Sequence, residues 1–150
     1  DSPAPDWAAL AAATQTPLAG GENIAGLGDF MQTIIEGHLS VLQPDVAKWG
    51  GVTGCLAVAR KALMAGRLYC PHFLGGGIGL AASAHVLAAA GGAGLLELDV
   101  NDNPLRDAFF EGDPARDGHF VLATGSGLGI EGLPAAIRSY QTLHLEARKT

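Results

Sequence analysis

Four polar residues stand out by type and by spacing. Glu22 lies in AGGEN, Asp45 in QPDVAKWGG, His72 in CPHF and Glu97 in LLELDV, and the successive separations are 23, 27 and 25 residues. An Asp placed beside a His forms a general-base pair, in which the carboxylate orients the imidazole and raises its basicity. Each of the four has an ordinary structural use when taken alone. Glu22 could cap a following helix, Asp45 could close an Asx turn after Pro44, and His72 could be a buried, hydrogen-bonded core histidine. Near-equal spacing favours the other reading, in which equivalent units each offer one side chain to a common point.

Those units can be traced along the chain. Helical patterns run over Asp6–Thr14, Leu27–Glu36, Gly51–Ala65 and Ile78–Ala90, and the third is expected to bury Val52, Leu56, Val58, Ala59, Ala62 and Leu63. Between them lie short apolar runs at Leu18-Ala19, Leu39–Leu42, Leu68–Cys70 and Leu95–Leu98 that read as strands. Strands alternating with helices imply parallel pairing, because a parallel connection needs a crossover and a helix supplies it. The expected class is therefore α/β. Each of the four polar residues falls at the C-terminal end of a strand, the end at which a (β/α)8 barrel builds its active site. Four units make half of such a barrel, which takes ~250 residues in full. The chain has 150.

Composition narrows the function classes. Charged residues are only 16%, against ~25% in ordinary soluble domains, so extensive contact with other protein is expected. A formal net charge of -6 provides no footprint for phosphate backbones or anionic membranes, and nucleic acid is not expected as a partner. Residues 73–96 carry no formal charge, but seven of them are glycine. That stretch reads as loop, helix and loop, not as a membrane span. Two cysteines, Cys55 and Cys70, cannot make a disulfide framework and point to a reducing cytoplasm.

The segments PLAGGEN, VLQPDVAKWGGVTG, CPHF followed by GGGIGLAASAHVLAA, and LELDVNDNPLRD, in that order, resemble the second half of the catalytic barrel of the enolase superfamily, mandelate racemase subgroup. The resemblance implies the C-terminal half of a (β/α)8 (TIM-type) barrel, strands five to eight, over residues 1–120, with 121–150 returning to pack on a capping domain. It also implies roles. Glu22 is the third carboxylate ligand of an essential Mg2+, Asp45 and His72 are the dyad that exchanges the substrate α-proton, and Glu97 hydrogen-bonds the substrate carboxylate as it becomes an enediolate. The implied activity is dehydration of an acid sugar, with racemisation of a 2-hydroxy acid as the alternative. The implied partners are a small carboxylate substrate, the N-terminal half of the same enzyme and further copies in a homo-oligomer.

The resemblance also has limits. The family's other two carboxylate ligands and its lysine base would precede residue 1, so the 150-residue piece is expected to be inactive alone. Asp45 sets the chain apart from the muconate cycloisomerase and dipeptide epimerase branch, which has a catalytic lysine at that strand position. Lys48 lies three residues later and reads as a solvated or inter-helix charge. Two readings from other classes are a nucleotide-binding α/β module and a non-catalytic half barrel. The glycines of GSGLGIEG suggest a phosphate loop, but no Lys-Ser/Thr follows them. Those at 75, 76, 77 and 79 precede a helix and could receive an anion, or else shape the loop beside His72. His85 reads as a core histidine.

Overall fold

The structure, a computed structural model, describes residues 4–145, so the last five residues of the expected 121–150 segment lie outside it. In chain order the elements are α1 (Ala4–Ala13), β1 (Ala19–Gly20), α2 (Leu27–Glu36), β2 (Val41–Leu42), α3 (Gly51–Met64), β3 (Leu68–Tyr69), α4 (Gly77–Ala90), α5 (Pro104–Asp107), β4 (Ala115–Arg116) and β5 (His119–Phe120), followed by a 3₁₀ helix at Ala135–Tyr140. Strands β1, β2 and β3 form a parallel sheet in that order. Ala19 stands opposite Val41 and Val41 opposite Leu68, with Gly20, Leu42 and Tyr69 aligned one residue on. Backbone bonds carry the ladder past the strands at both ends, from Ser40 N–H to Leu18 O (2.8 Å) and from Cys70 N–H to Leu42 O (3.0 Å).

The sheet is covered on one face. Side chains alternate along a strand, so Leu42 and Tyr69, both fully buried, point to the helices. Phe30, Leu39, Leu42, Val58 and Ala62 form one core cluster between α2, β2 and α3, with Trp7, Leu18 and Trp49 packed on it. Cys55, Ala59, Tyr69 and Val86 form a second cluster between α3, β3 and α4. Leu68, on the opposite face, is 41% exposed. The fully buried side of α3 is Cys55, Val58, Ala59 and Ala62, which repeat at i, i+3, i+4 and i+7. Val52, expected in that face, is instead exposed in the first turn of α3.

Two features depart from the sequence expectation. The fourth strand at Leu95–Leu98 has no ladder pairing among the described residues. The Leu95 N–H donates to Cys70 Sγ (3.3 Å) where a strand would present it to a carbonyl, so the segment lies beside β3 without joining the sheet. The second departure is an antiparallel hairpin, β4–β5, closed by Asp117 (φ 50°) and Gly118 (φ 74°). Positive φ at both central residues marks the tight turn that Asp-Gly favours.

Candidate active site

Because the three strands are parallel and in register, the residues that follow them emerge at one edge of the sheet. Glu22 comes two residues after β1, Asp45 three after β2, and His72 three after β3. Gly21 between β1 and Glu22 has φ 119°, and a side chain there would press on Gln43 N and the Phe30 ring (3.4 Å each). The backbone can turn there only because residue 21 is glycine.

Asp45 is 5% exposed. Its Oδ1 accepts the backbone N–H of Ala47 (2.7 Å) and of Lys48 (3.3 Å), which is the Asx turn that Asp after Pro commonly forms. Oδ2 is left to meet His72 Nδ1 at 2.8 Å. The structural and the chemical uses of Asp45 thus coexist, since the turn fixes the carboxylate that faces the histidine. A carboxylate only accepts, so Nδ1 carries a proton and Nε2 faces the mouth.

At Nε2 the imidazole, with its side chain 11% exposed, meets Glu22 Oε2 at 2.7 Å, and Glu97 Oε2 lies 3.9 Å away. The second distance is beyond hydrogen-bond reach. Glu97 Oε2 is instead engaged by the Phe73 N–H at 2.9 Å. With acceptors against both ring nitrogens, the doubly protonated ring is the form that satisfies both contacts. For Nε2 to take a proton from another molecule, it must first give up its own and Glu22 must turn away.

Glu22 has a second partner. Lys48 Nζ donates to the same Oε2 (3.2 Å) and to Asn23 Oδ1 (3.0 Å), and Asn23 Nδ2 donates to Glu22 Oε1 (3.2 Å). The Lys48 hydrogen bond, with lesser help from the His72 and Lys48 charges and from Asn23, holds the Glu22 carboxyl below its usual value near 4.5 against the opposing effect of burial. Lys48, with its side chain 43% exposed, is a solvated charge as expected, and it also reaches back over the mouth to Glu22. The tight turn opened by Asp45 carries Lys48, but its approach to Glu22, 26 residues away, arises only in the fold.

The loop that follows Glu97 is tied down by a buried arginine for which the sequence offers no signal. Arg106, 9% exposed, donates to the carbonyls of Asp99 (2.6 Å) and Asn101 (3.0 Å) and to Asp107 Oδ1 (2.7 Å). Asn103 caps α5 by accepting the Leu105 N–H (3.0 Å) and donates through Nδ2 to Gly75 O (3.3 Å), which ties this loop to the one after His72. Of the alternatives for glycines 75–79, the structure supports shaping of that loop. A side chain at Gly77 would strike Phe109 (2.7 Å) and Arg106 O (2.8 Å), so the start of α4 is packed shut. His85 is half-buried, not part of a closed core.

As a metal site the residues present are insufficient. Among the described residues no group of three or more His, Cys, Asp or Glu side chains is arranged to hold an ion, and Mg2+ takes several hard oxygen ligands. Glu22 is one such oxygen donor, already paired to Lys48 and His72. No helix among the described residues is long and apolar enough to cross a membrane.

Parallel βα units that bring polar side chains to one strand-end edge define an α/β barrel-type enzyme fold. The chain belongs to the enolase C-terminal domain-like family, whose profile matches residues 2–136, and its architecture is that of the C-terminal half of a (β/α)8 barrel. It is similar to a mandelate racemase/muconate lactonizing enzyme from Bordetella bronchiseptica RB50, at 51% identity and TM-score 0.84 over 94% of this chain and 40% of that one. It is 33% identical to a D-galactonate dehydratase of Pectobacterium atrosepticum over 81% of this chain and 34% of the relative. It is 31% identical to a D-galactarolactone cycloisomerase of Agrobacterium fabrum over 83% and 35%. The chain thus spans about a third of the length of these curated relatives.

Proposed function

We propose that the enzyme carrying this chain removes the α-proton of a small hydroxy-carboxylate to form an enediolate, and that dehydration of an acid sugar is its reaction. The observation that carries the reading is the His72 imidazole, fixed at Nδ1 by Asp45 and presenting Nε2 between Glu22 and Glu97 at the strand-end edge. The likeness to sugar-acid enzymes supports the substrate class.

In this reading Nε2 takes the α-proton and the C–H electron pair enters the enediolate. The charged imidazole then returns a proton to the β-hydroxyl, which leaves as water, and the resulting enol becomes a 2-keto acid. Asp45 keeps the second proton on Nδ1 throughout. Glu97, whose Oε2 accepts the Phe73 N–H, would have to be protonated on Oε1 to donate to the substrate carboxylate as charge develops there. Glu22 is one oxygen ligand of a Mg2+ whose other ligands lie outside this chain; such an ion offsets negative charge on the enediolate.

Racemisation of a 2-hydroxy acid is the second reading, favoured by the likeness to the Bordetella protein; in it a group outside this chain returns a proton to the α-carbon on the opposite face, and no hydroxyl leaves. The same account makes residues 1–120 the second barrel half and 121–150 a segment on a capping domain. It also places the enzyme in the cytoplasm as a homo-oligomer, in keeping with the two free cysteines and the low charge content. The test is to incubate the complete enzyme and Mg2+ with D-galactonate and with mandelate. Formation of a 2-keto-3-deoxy acid supports dehydration, and inversion of mandelate supports the second reading. Failure to turn over or exchange the α-proton of either acid overturns both.

A further inference from the structure

We propose that Phe73 is a positioning residue that sets His72 against Glu97 through its backbone, and that Gly75 and Gly79 exist to hold its ring. The proposal rests on the roles just assigned to His72 and Glu97. Phe73 follows the histidine directly, so the peptide that joins them carries both the imidazole's Cα and the N–H that Glu97 Oε2 accepts at 2.9 Å. The tilt of that one peptide therefore decides where the base sits and which carboxylate oxygen is left for substrate.

The ring fixes the tilt. Phe73 is 7% exposed, and a Cβ on Gly75 would meet its Cζ at 2.7 Å. A Cβ on Gly79 would collide with Cζ and Cε2. Gly79 lies inside α4, where its backbone would accept any residue and where glycine weakens a helix. What excludes a side chain there is the ring, so the glycine is explained by the fit and not by conformation. Asn103 Nδ2 closes the arrangement by donating to Gly75 O (3.3 Å).

The experiment compares Phe73→Leu, Gly79→Ala, the double variant and His72→Asn in the complete enzyme. A small misplacement of a reacting group costs up to about 100-fold. Phe73→Leu and Gly79→Ala should each lower kcat by about 10- to 100-fold, with KM changed less than about threefold. Because leucine vacates the space that the alanine methyl needs, the double variant should recover part of the kcat lost in Gly79→Ala, and the fall in kcat at nearly constant KM is what separates positioning from a general loss of fold. If Gly79→Ala does not fold, Phe73→Leu alone carries the test. If His72→Asn abolishes α-proton exchange while Phe73→Leu leaves kcat within about twofold, the positioning role is refuted and the catalytic reading stands. If His72→Asn leaves exchange intact, the catalytic reading falls and the positioning role falls with it.

Discussion

Asp45→Asn is the substitution whose consequence follows most directly from the geometry. Asparagine is nearly isosteric, and its side-chain oxygen can accept the same Ala47 N–H (2.7 Å) and Lys48 N–H (3.3 Å) that Oδ1 accepts now. The Asx turn should survive. The amide nitrogen is then forced into the place of Oδ2, 2.8 Å from His72 Nδ1, and it can only donate. Nδ1 must become the acceptor, which moves the ring proton to Nε2 and turns the base nitrogen into a donor. General-base catalysis is worth ~10²–10⁴-fold, and the corresponding tautomer error in a serine-protease triad costs ~10⁴. We therefore expect kcat to fall by ~10³–10⁴, equivalent to ~4–5.5 kcal/mol of barrier, with KM changed less than about threefold. Steady-state keto-acid formation by the complete enzyme, parent against variant, measures both. A loss in kcat below about tenfold, or one confined to KM, would refute the tautomer argument.

Further outcomes follow from the packing. Gly94→Ala would drive a Cβ into the Tyr69 carbonyl; overpacking of this kind costs ~1–3 kcal/mol, and calorimetry should show the melting temperature lowered by several degrees, an unchanged value being the contrary result. Burial, with a smaller effect from the Asp45 charge, pushes the Cys55 thiol up to about 11, so iodoacetamide at about pH 8 should label the half-buried Cys70 and spare Cys55. Peptide mass spectrometry checks this, and equal labelling would contradict it. The isolated chain exposes Leu68, Leu95 and Val100 by 41%, 75% and 95%, and in sedimentation it should associate. A cooperatively unfolding monomer of 15.3 kDa would show that the half barrel stands alone.

The βα alternation was legible because its signals are local. The helical spacing of Leu27, Phe30, Met31 and Ile34 marks α2 to the residue, and Gly37 ends it in the left-handed conformation (φ 75°) with its N–H on Thr33 O. The spacing of Glu22, Asp45 and His72 likewise reflects the repeat that puts them on one edge. What was missed depends on contacts distant in sequence or on unused turn chemistry. The segment Leu95–Leu98 has the apolar run of a strand, but its first N–H goes to Cys70 Sγ. The β4–β5 hairpin was signalled by Asp117-Gly118, although strands of two residues carry no alternation to read. Lys48 looked like any exposed lysine, and only the fold brings it to Glu22, 26 residues away. Arg106 shows no pattern in sequence that announces burial; its carbonyl partners at Asp99 and Asn101 exist only once the loop has closed.

The central claim is that the Nε2 atom of His72 moves the substrate α-proton. Its most direct test is exchange of that proton with solvent deuterium, followed by ¹H NMR in the complete enzyme with D-galactonate and Mg2+, parent beside His72→Asn. Parent enzyme is predicted to wash deuterium into the α-position or the product, and the variant to lose this activity while its Mg2+ affinity, measured by calorimetry, is unchanged. Exchange at the parental rate in His72→Asn, or a loss that is accounted for by lost metal binding, would contradict the account.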